Sequence, residues 1–407
     1  MKKLLALLCA LLFVPCALAE ETARARFPGS LGGTIEISPA WEEGWFFADA
    51  SAYNHALAQA SLGLALSAFG AGEGDAAQNV RDCLSSLGFE QIETAQYDVR
   101  RQDTIGTALA RREIRQGGES ATLVALAIRG GNYGQEWLSN FDCGVDEPWH
   151  RGFSQAAREA ARRAADYVAK QNIERPVFWI AGYSRGAAVA NLTAAFLSEK
   201  GLAQDEQIFA YTFSTPRTVR GEEAKKHRNI YNIVSAADLV PQTPLAAWGY
   251  DRYGQTLYLP SSDGQAADYA ALLPGFQAAY QSLTGAPADA AGDAADLSLC
   301  RALVKGLATA VPTPERYAAV YQAPLGKLFT GQKLTGAERL VTLSLVTALG
   351  LEAAREAGHS VSAAEGTERA EELLVLIKPI STQHMPEIYL AWMLSLPDGH
   401  ALLRETP

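Results

Sequence analysis

"VFWIAGYSRGAAVANLTAAF", residues 177–196, holds the reading on which the fold turns. An apolar run stops at Gly182, a single serine stands between Gly182 and Gly186, and an alanine-rich helical pattern follows. Gly182-Tyr183-Ser184-Arg185-Gly186 fits G-x-S-x-G, with a strand pattern before it and a helix pattern after it. The reason for the two glycines is crowding. A sharp turn lifts the serine hydroxyl above the sheet, and side chains two places either side would strike the neighbouring strand and helix. Ala187 and Ala188 let the helix lie close, and its N-terminus turns N–H groups toward the serine. An ordinary strand-to-helix turn is the plainer reading of the same residues.

On the N-terminal side, ATLVALAIRG (121–130) is almost wholly apolar, as a strand buried on both faces is, and TIGTALARREI (104–114) alternates in part. NVRDCLSSLG (79–88) predicts a short helix closed by Gly88, and residues 51–69 carry apolar side chains at helical spacing. FSQAAREAARRAADYVAKQ (153–171) runs its apolar stripe through Phe153, Ala157, Ala160, Ala164 and Val168, with its arginines outward. Beyond the serine, QIFAYTFS and NIYNIVS predict two more strands. Strands alternating with helices predict an α/β fold with a mostly parallel central sheet covered by helices.

After Tyr250 the composition shifts to helical patterns around a small, acidic stretch, GAPADAAGDAADLS (285–298), which reads as a linker or surface loop. Residues 20–250 are expected to form the core, with 20–45 as a loosely ordered leading segment. Residues 251–378 are expected to form a mainly helical insertion, and 379–407 to return to the core.

The 407 residues are 48% hydrophobic and 20% charged, enough for a large buried core, and the formal charge of −10 argues against a nucleic-acid partner. MKKLLALLCALLFVPCALAEE opens with two lysines, an apolar run to Ala19, and Ala17-Leu18-Ala19 ahead of Glu20. This pattern predicts a secretory signal peptide (1–19) cut after Ala19, leaving no stable membrane span. Lipid attachment at Cys16 fits less well, because the bulky Phe13-Val14-Pro15 precedes it. Cys83, Cys143 and Cys300 then remain; they read as buried free thiols and fit no zinc spacing. No phosphate-loop, HExxH or paired CxxC motif is present, so no cofactor and no metal are expected. The sequence does not address oligomeric state.

A serine needs a base, and the base needs an acid to orient it. In sheets of this kind the acid follows the serine and the histidine comes last. Asp238 closes the strand-like NIYNIVSAAD, at the carboxyl end where such sheets keep their sites, although it equally suits an Asx-type turn. Of the later histidines, His384 follows the strand-like ELLVLIKPI and lies in the loop STQHMPEIY, which makes it the preferred base. His359 at a helix end is the alternative, and His400 lies near the C-terminus. His150 reads as structural. The oxyanion would meet the backbone N–H of Arg185 and one from the loop AIRGGNYG, for which Gly131 is the choice.

The set ALAIRGGNYGQEWLSNF, HRGF, FWIAGYSRGAAVANLTA, AYTFSTPR, SAADLVPQTP and HMPEIYL resembles the class 3 (fungal-type) lipase domain of the α/β-hydrolases, in a bacterial secreted branch. The resemblance covers residues 80–244 and the segment around His384. It implies a catalytic triad of Ser184, Asp238 and His384, an α/β-hydrolase fold, and a loop after Gly131 that helps form the oxyanion hole and a lid. Tyr133, Trp137, Leu138 and Phe141 would then face substrate or the closed site, with Tyr183 as a further substrate contact. The elbow departs from the family's common GHSLGG, and Ser214-Thr215 stands where a glycine commonly precedes Pro-Arg. Arg185 and the long insertion are expected to wall in or charge the pocket.

The implied activity is ester hydrolysis of lipids or small acyl esters, lipase-like, at a lipid interface or in solution. The alternatives are another acyl-transfer reaction on the same residues (peptidase, thioesterase or acyltransferase) and a non-catalytic binding module that keeps the fold.

Overall fold

The computed structural model describes residues 21–407 except 71–74, 100, 102, 132–135, 264–265, 289–290, 357, 359–377, 398–401 and 405–407. Among the described residues, eight strands form one sheet and lie across it in chain order. They are β1 (Glu90–Ala95), β2 (Thr107–Gln116), β3 (Glu119–Ile128), β4 (Pro176–Tyr183), β5 (Ile208–Phe213), β6 (Ile230–Val234), β7 (Gln255–Tyr258) and β8 (Leu403–Arg404). The five strands β3 to β7 run parallel. β1, β2 and β8 join antiparallel at the two edges. The β2–β3 hairpin pairs Gln116 with Glu119 across Gly117 and Gly118, both at positive φ, as a two-residue turn between twisted strands requires.

β4 shows why the sheet is covered on both faces. All eight of its residues are buried. Val177, Trp179, Ala181 and Tyr183 face one side, toward helix α1 (His55–Ser67). Phe178 and Ile180 face the other, toward α3 (Arg151–Lys170) and α4 (Arg185–Glu199). The indole N–H of Trp179 donates to Ser61 Oγ of α1 at 2.8 Å, so even the deepest ring keeps a partner. Ala156, Ala157, Ala160 and Ala164 of α3 are fully buried, and their small side chains bring that helix close to α4 and the sheet. Helix α2 (Ala76–Ser86) is capped by Asp75, which accepts from Gln78 N, and is left through Gly88 at φ +66°.

Four sequence expectations change. The leading segment is ordered: Ala25–Pro28 pairs antiparallel with Thr34–Ile37, and the alternate residues Ala25 and Phe27 bury against the core with Trp41. Residue 251 does not open a helical run. β7 follows it, burying Leu257 beside β6, and the helices start with α5 (Ala266–Thr284), α6 (Ala294–Ala310) and α7 (Gly336–Glu356). The acidic stretch 285–298 is loop only to Asp293, whose carboxylate caps Asp296 N and starts α6. The strand expected over residues 372–380 falls mostly outside the described residues. Its last three begin helix α8 (Lys378–Gln383), with Pro379 in the first turn, where a missing N–H costs little. α9 (Pro386–Ser395) follows, and the indole of Trp392 stacks on Phe276 of α5 at 4.5 Å.

Cys83, Cys143 and Cys300 are free and buried, and burial raises all three thiols, Cys83 and Cys300 to about 12. Among the described residues no helix is long and apolar enough to cross a membrane.

Candidate active site

Ser184 stands between β4 and α4 at φ +57°, ψ −127°, a conformation that non-glycine residues rarely hold. The glycines around it are there because their neighbours are backbone. A Cβ on Gly182 would lie 2.4 Å from Gly186 O, and one on Gly186 would lie 2.6 Å from Ile128 O. The turn therefore lifts the hydroxyl out of the sheet, as the spacing of the motif requires.

Two more groups reach it from the carboxyl ends of the neighbouring strands and from the C-terminal segment. Ser184 Oγ lies 3.0 Å from His384 Nε2, and His384 Nδ1 lies 3.0 Å from Asp238 Oδ2. Asp238 is fully buried just beyond β6, where its other oxygen accepts from Val240 N at 3.0 Å. His384 sits in the turn between α8 and α9. Its carbonyl accepts from the Tyr183 hydroxyl at 3.0 Å, which ties the turn to the end of β4. An imidazole bonded to a serine through one nitrogen and to a carboxylate through the other is held in the tautomer and rotation a general base needs.

Two residues at Asp238 are additions to what the sequence reading contained. The Tyr389 hydroxyl donates to Asp238 Oδ2 at 2.8 Å, and burial holds that phenol well above its usual value, so it stays a donor. Ser214, directly after β5, places Oγ 2.6 Å from the same oxygen. His359 and His400 lie outside the described residues. His150 caps α3 and stacks on Phe153 with ring centroids 3.9 Å apart; burial lowers it to about 3, so it is a neutral structural ring.

The Gly130-Gly131 segment, expected to carry an oxyanion donor, is pressed against the elbow at Gly130. A Cβ on Gly130 would lie 2.4 Å from Tyr183 O, and Gly131 takes φ +69° beside the Phe69 ring. Gly130 thus lies against the residue before Ser184, and Arg185 follows the serine as the first residue of α4. The Arg185 side chain does not charge a pocket. It is 1% exposed and runs inward to Ser139 Oγ (3.1 Å), Thr104 O (3.1 Å) and Glu136 (3.7 Å). Arg129 completes that buried cluster, pairing with Glu136 at 2.5 Å and donating to Gly131 O at 3.0 Å. A buried carboxylate between two guanidiniums ties Glu136 and Arg129, and through Arg129 the carbonyl of Gly131, to the first residue of α4.

The expected substrate wall is placed differently. Tyr183 is fully buried among Phe69 and Tyr389, on the same alternating face as Trp179, and its hydroxyl holds the His384 turn. Tyr133 lies outside the described residues, and Trp137 opens the short helix Trp137–Asn140. Leu138 and Phe141 meet the insertion. A Cβ on Gly326 would lie 2.7 Å from Leu138, and Phe141 packs on Phe329 at 5.0 Å. Among the described residues no three His, Cys, Asp or Glu side chains gather as metal ligands would.

Helix α6 steers His384 into place. Gln383, the residue before it, donates to Asp296 Oδ2 at 2.8 Å, and Gly292 N–H donates to the same oxygen at 3.1 Å. Burial pushes the Asp296 carboxyl up to about 6, and Asp293 beside it adds to the rise. A carboxyl that holds its proton more tightly folded than unfolded adds stability at low pH and loses it as pH climbs through about 6. Through this group the melting temperature is expected to fall from about pH 4 to about pH 7. Asp296→Asn keeps an acceptor for Gln383 and should flatten that fall. Melts across the range decide it, since parallel curves would clear Asp296.

A strained serine, an imidazole and a buried carboxylate at the strand ends of a mostly parallel, helix-covered sheet are the arrangement of the serine hydrolases of the α/β-hydrolase fold. A family model described as Lipase (class 3) matches residues 125–248, under a third of the chain, from within β3 to just past Asp238. A relative, secreted mono- and diacylglycerol lipase 1 of Fusarium solani, is 28% identical over 144 residues, which is 31% of this chain and 41% of that protein. The chain thus matches about two fifths of the length of that curated relative. Among solved structures, the native Rhizomucor miehei lipase propeptide complex is 18% identical, covering 60% of this chain and 84% of that one with a TM-score of 0.37. The mono- and diacylglycerol lipase from Aspergillus oryzae is 19% identical, covering 51% and 78% with a TM-score of 0.34. The Fusarium solani relative is fungal, so the bacterial branch read from the sequence is corrected: the likeness found is to a fungal secreted lipase.

Proposed function

We propose that the chain is an exported serine hydrolase that cleaves carboxylic ester bonds of lipids or small acyl esters. The observation that carries the reading is the hydrogen-bonded run from Ser184 through His384 to buried Asp238 at a strained strand–helix turn. In the first half-reaction Ser184 Oγ attacks the ester carbonyl carbon while His384 Nε2 takes the hydroxyl proton. The carbonyl oxygen becomes an oxyanion facing the N–H groups of Arg185 and Gly131. Each such donor is worth about 3 kcal/mol in the transition state. Collapse breaks the ester C–O bond, and His384 returns its proton to the departing alcohol. Water, deprotonated by the same imidazole, then releases the acid from Ser184.

The match to an acylglycerol lipase supports a glyceride-like ester as the first substrate to try, and that relative's secreted character agrees with the leader-like residues 1–19. The test is labelling by a fluorophosphonate probe, followed by soluble and emulsified esters graded in acyl length. Wild type is expected to label and to turn over at least one ester series, with labelling lost in Ser184→Ala. A wild type that stays unlabelled beside a reactive control hydrolase would overturn the reading.

A further inference from the structure

We propose that Ser214 is a positioning residue of the catalytic relay, holding the imidazole of His384 from the side that Asp238 leaves open. The inference rests on the hydrolase reading above. Ser214 follows β5 directly, and its N–H donates to Ile233 O at 2.9 Å, which joins it to β6 at the level of the site. Its Oγ lies 2.6 Å from Asp238 Oδ2 and 2.8 Å from His384 Nδ1, while those two atoms are 3.0 Å apart. The three atoms form a closed triangle.

Only one assignment of protons satisfies that triangle with an ionised acid. The carboxylate has no proton to give, so the Ser214 O–H donates to Asp238. The lone pairs of Oγ then face His384, whose Nδ1–H is shared between the carboxylate and the hydroxyl. Asp238 Oδ2 thereby accepts from Ser214, Tyr389 and His384 together. One acceptor on Nδ1 fixes distance but leaves the ring free to swing about that bond. A second acceptor from a different strand fixes the swing as well, which keeps Nε2 aimed at Ser184 Oγ. As the imidazolium forms, its new charge meets a carboxylate and a hydroxyl dipole already oriented by that carboxylate.

The backbone says the side chain is kept for this contact. Ser214 takes φ +51°, in the left-handed region that favours glycine, so the hydroxyl is held at a position where a residue without a side chain would be more relaxed.

Two variants separate anchoring from packing. Ser214→Gly removes the hydroxyl and relieves the backbone; Ser214→Ala removes the hydroxyl alone. Both are expected to lower kcat on a soluble ester about ten- to a hundredfold. KM should stay within roughly twofold, because no substrate contact is lost. The downfield proton resonance of His384 Nδ1–H should move upfield in both, and Ser214→Gly should melt no lower than wild type. Wild-type kcat in both variants, or a loss carried by KM, would overturn the proposal. If wild type itself neither labels nor turns over ester, the hydrolase reading falls. The Nδ1–H resonance still decides then whether Ser214 anchors the ring, since an unmoved signal would overturn that on its own.

Discussion

Ser184→Ala and His384→Ala are each expected to lower kcat about a millionfold, and the double variant to be little worse than either. The two side chains act as one unit. Oγ 3.0 Å from Nε2 is a nucleophile only because the imidazole takes its proton, and without Oγ no acyl-enzyme forms for the imidazole to carry forward. Removing either leaves only the proposed oxyanion donors to polarise a carbonyl that water attacks slowly. Asp238→Asn is expected to cost about ten thousandfold, because an amide turned toward His384 favours the wrong tautomer. The measurement is kcat on a soluble ester for the singles and the double. Losses that multiply in the double would mean that Ser184 and His384 work independently, and the relay would be the wrong description.

Gly186→Ala is expected to be strongly damaging although it adds a single methyl. The added Cβ would lie 2.6 Å from Ile128 O and 2.9 Å from both the carbonyl carbon and oxygen of Arg129, all of them backbone of β3 or the residue after it. Backbone in the middle of a sheet has nowhere to go, so α4 must shift away and carry Ser184 with it. The cost is on the order of 3 kcal/mol, the upper part of the usual range for overpacking. Denaturant midpoints check this, and probe labelling of the remaining folded protein checks the displaced serine. Gly336→Ala is the control: nothing lies within 4 Å of its added methyl, so it should be near neutral. Equal midpoints for the two variants would show that the elbow glycines are not there for close approach.

Much of the sheet was legible because burial on both faces leaves a mark in sequence. β3 and β4 are near-continuous apolar runs, and the elbow forces glycine two places either side of Ser184. Asp238 and His384 were candidates by chain order, and the structure brings both to Ser184. Other parts were not legible because they depend on approaches between distant residues. Arg185 reads as a charge at the pocket until Glu136, 49 residues upstream, is seen beneath it. Ser214 and Tyr389 meet at Asp238 from 24 residues before it and 151 after it, and a serine where a glycine is common was the one trace of the former. Tyr183 carried a readable signal: it shares the alternating face of Val177, Trp179 and Ala181, which places it in the core. The helix at residues 378–383 was hidden by a proline that strand and first-turn readings both accept.

The sheet supplies Ser184, Ser214 and Asp238 from the ends of three adjacent strands, β4, β5 and β6, whereas His384 comes from a turn outside the sheet, more than 140 residues beyond the acid. Nucleophile and acid therefore depend on the sheet, whereas the base depends also on the docking of α9, whose Tyr389 and Trp392 enter the same core as Trp179 and Tyr183. Until the segment carrying His384 has docked against Tyr183 and Asp296, the chain is a finished scaffold with an idle hydroxyl. Reactivity thus depends on that docking as well as on the sheet: local release of the segment would silence the serine even with the sheet intact.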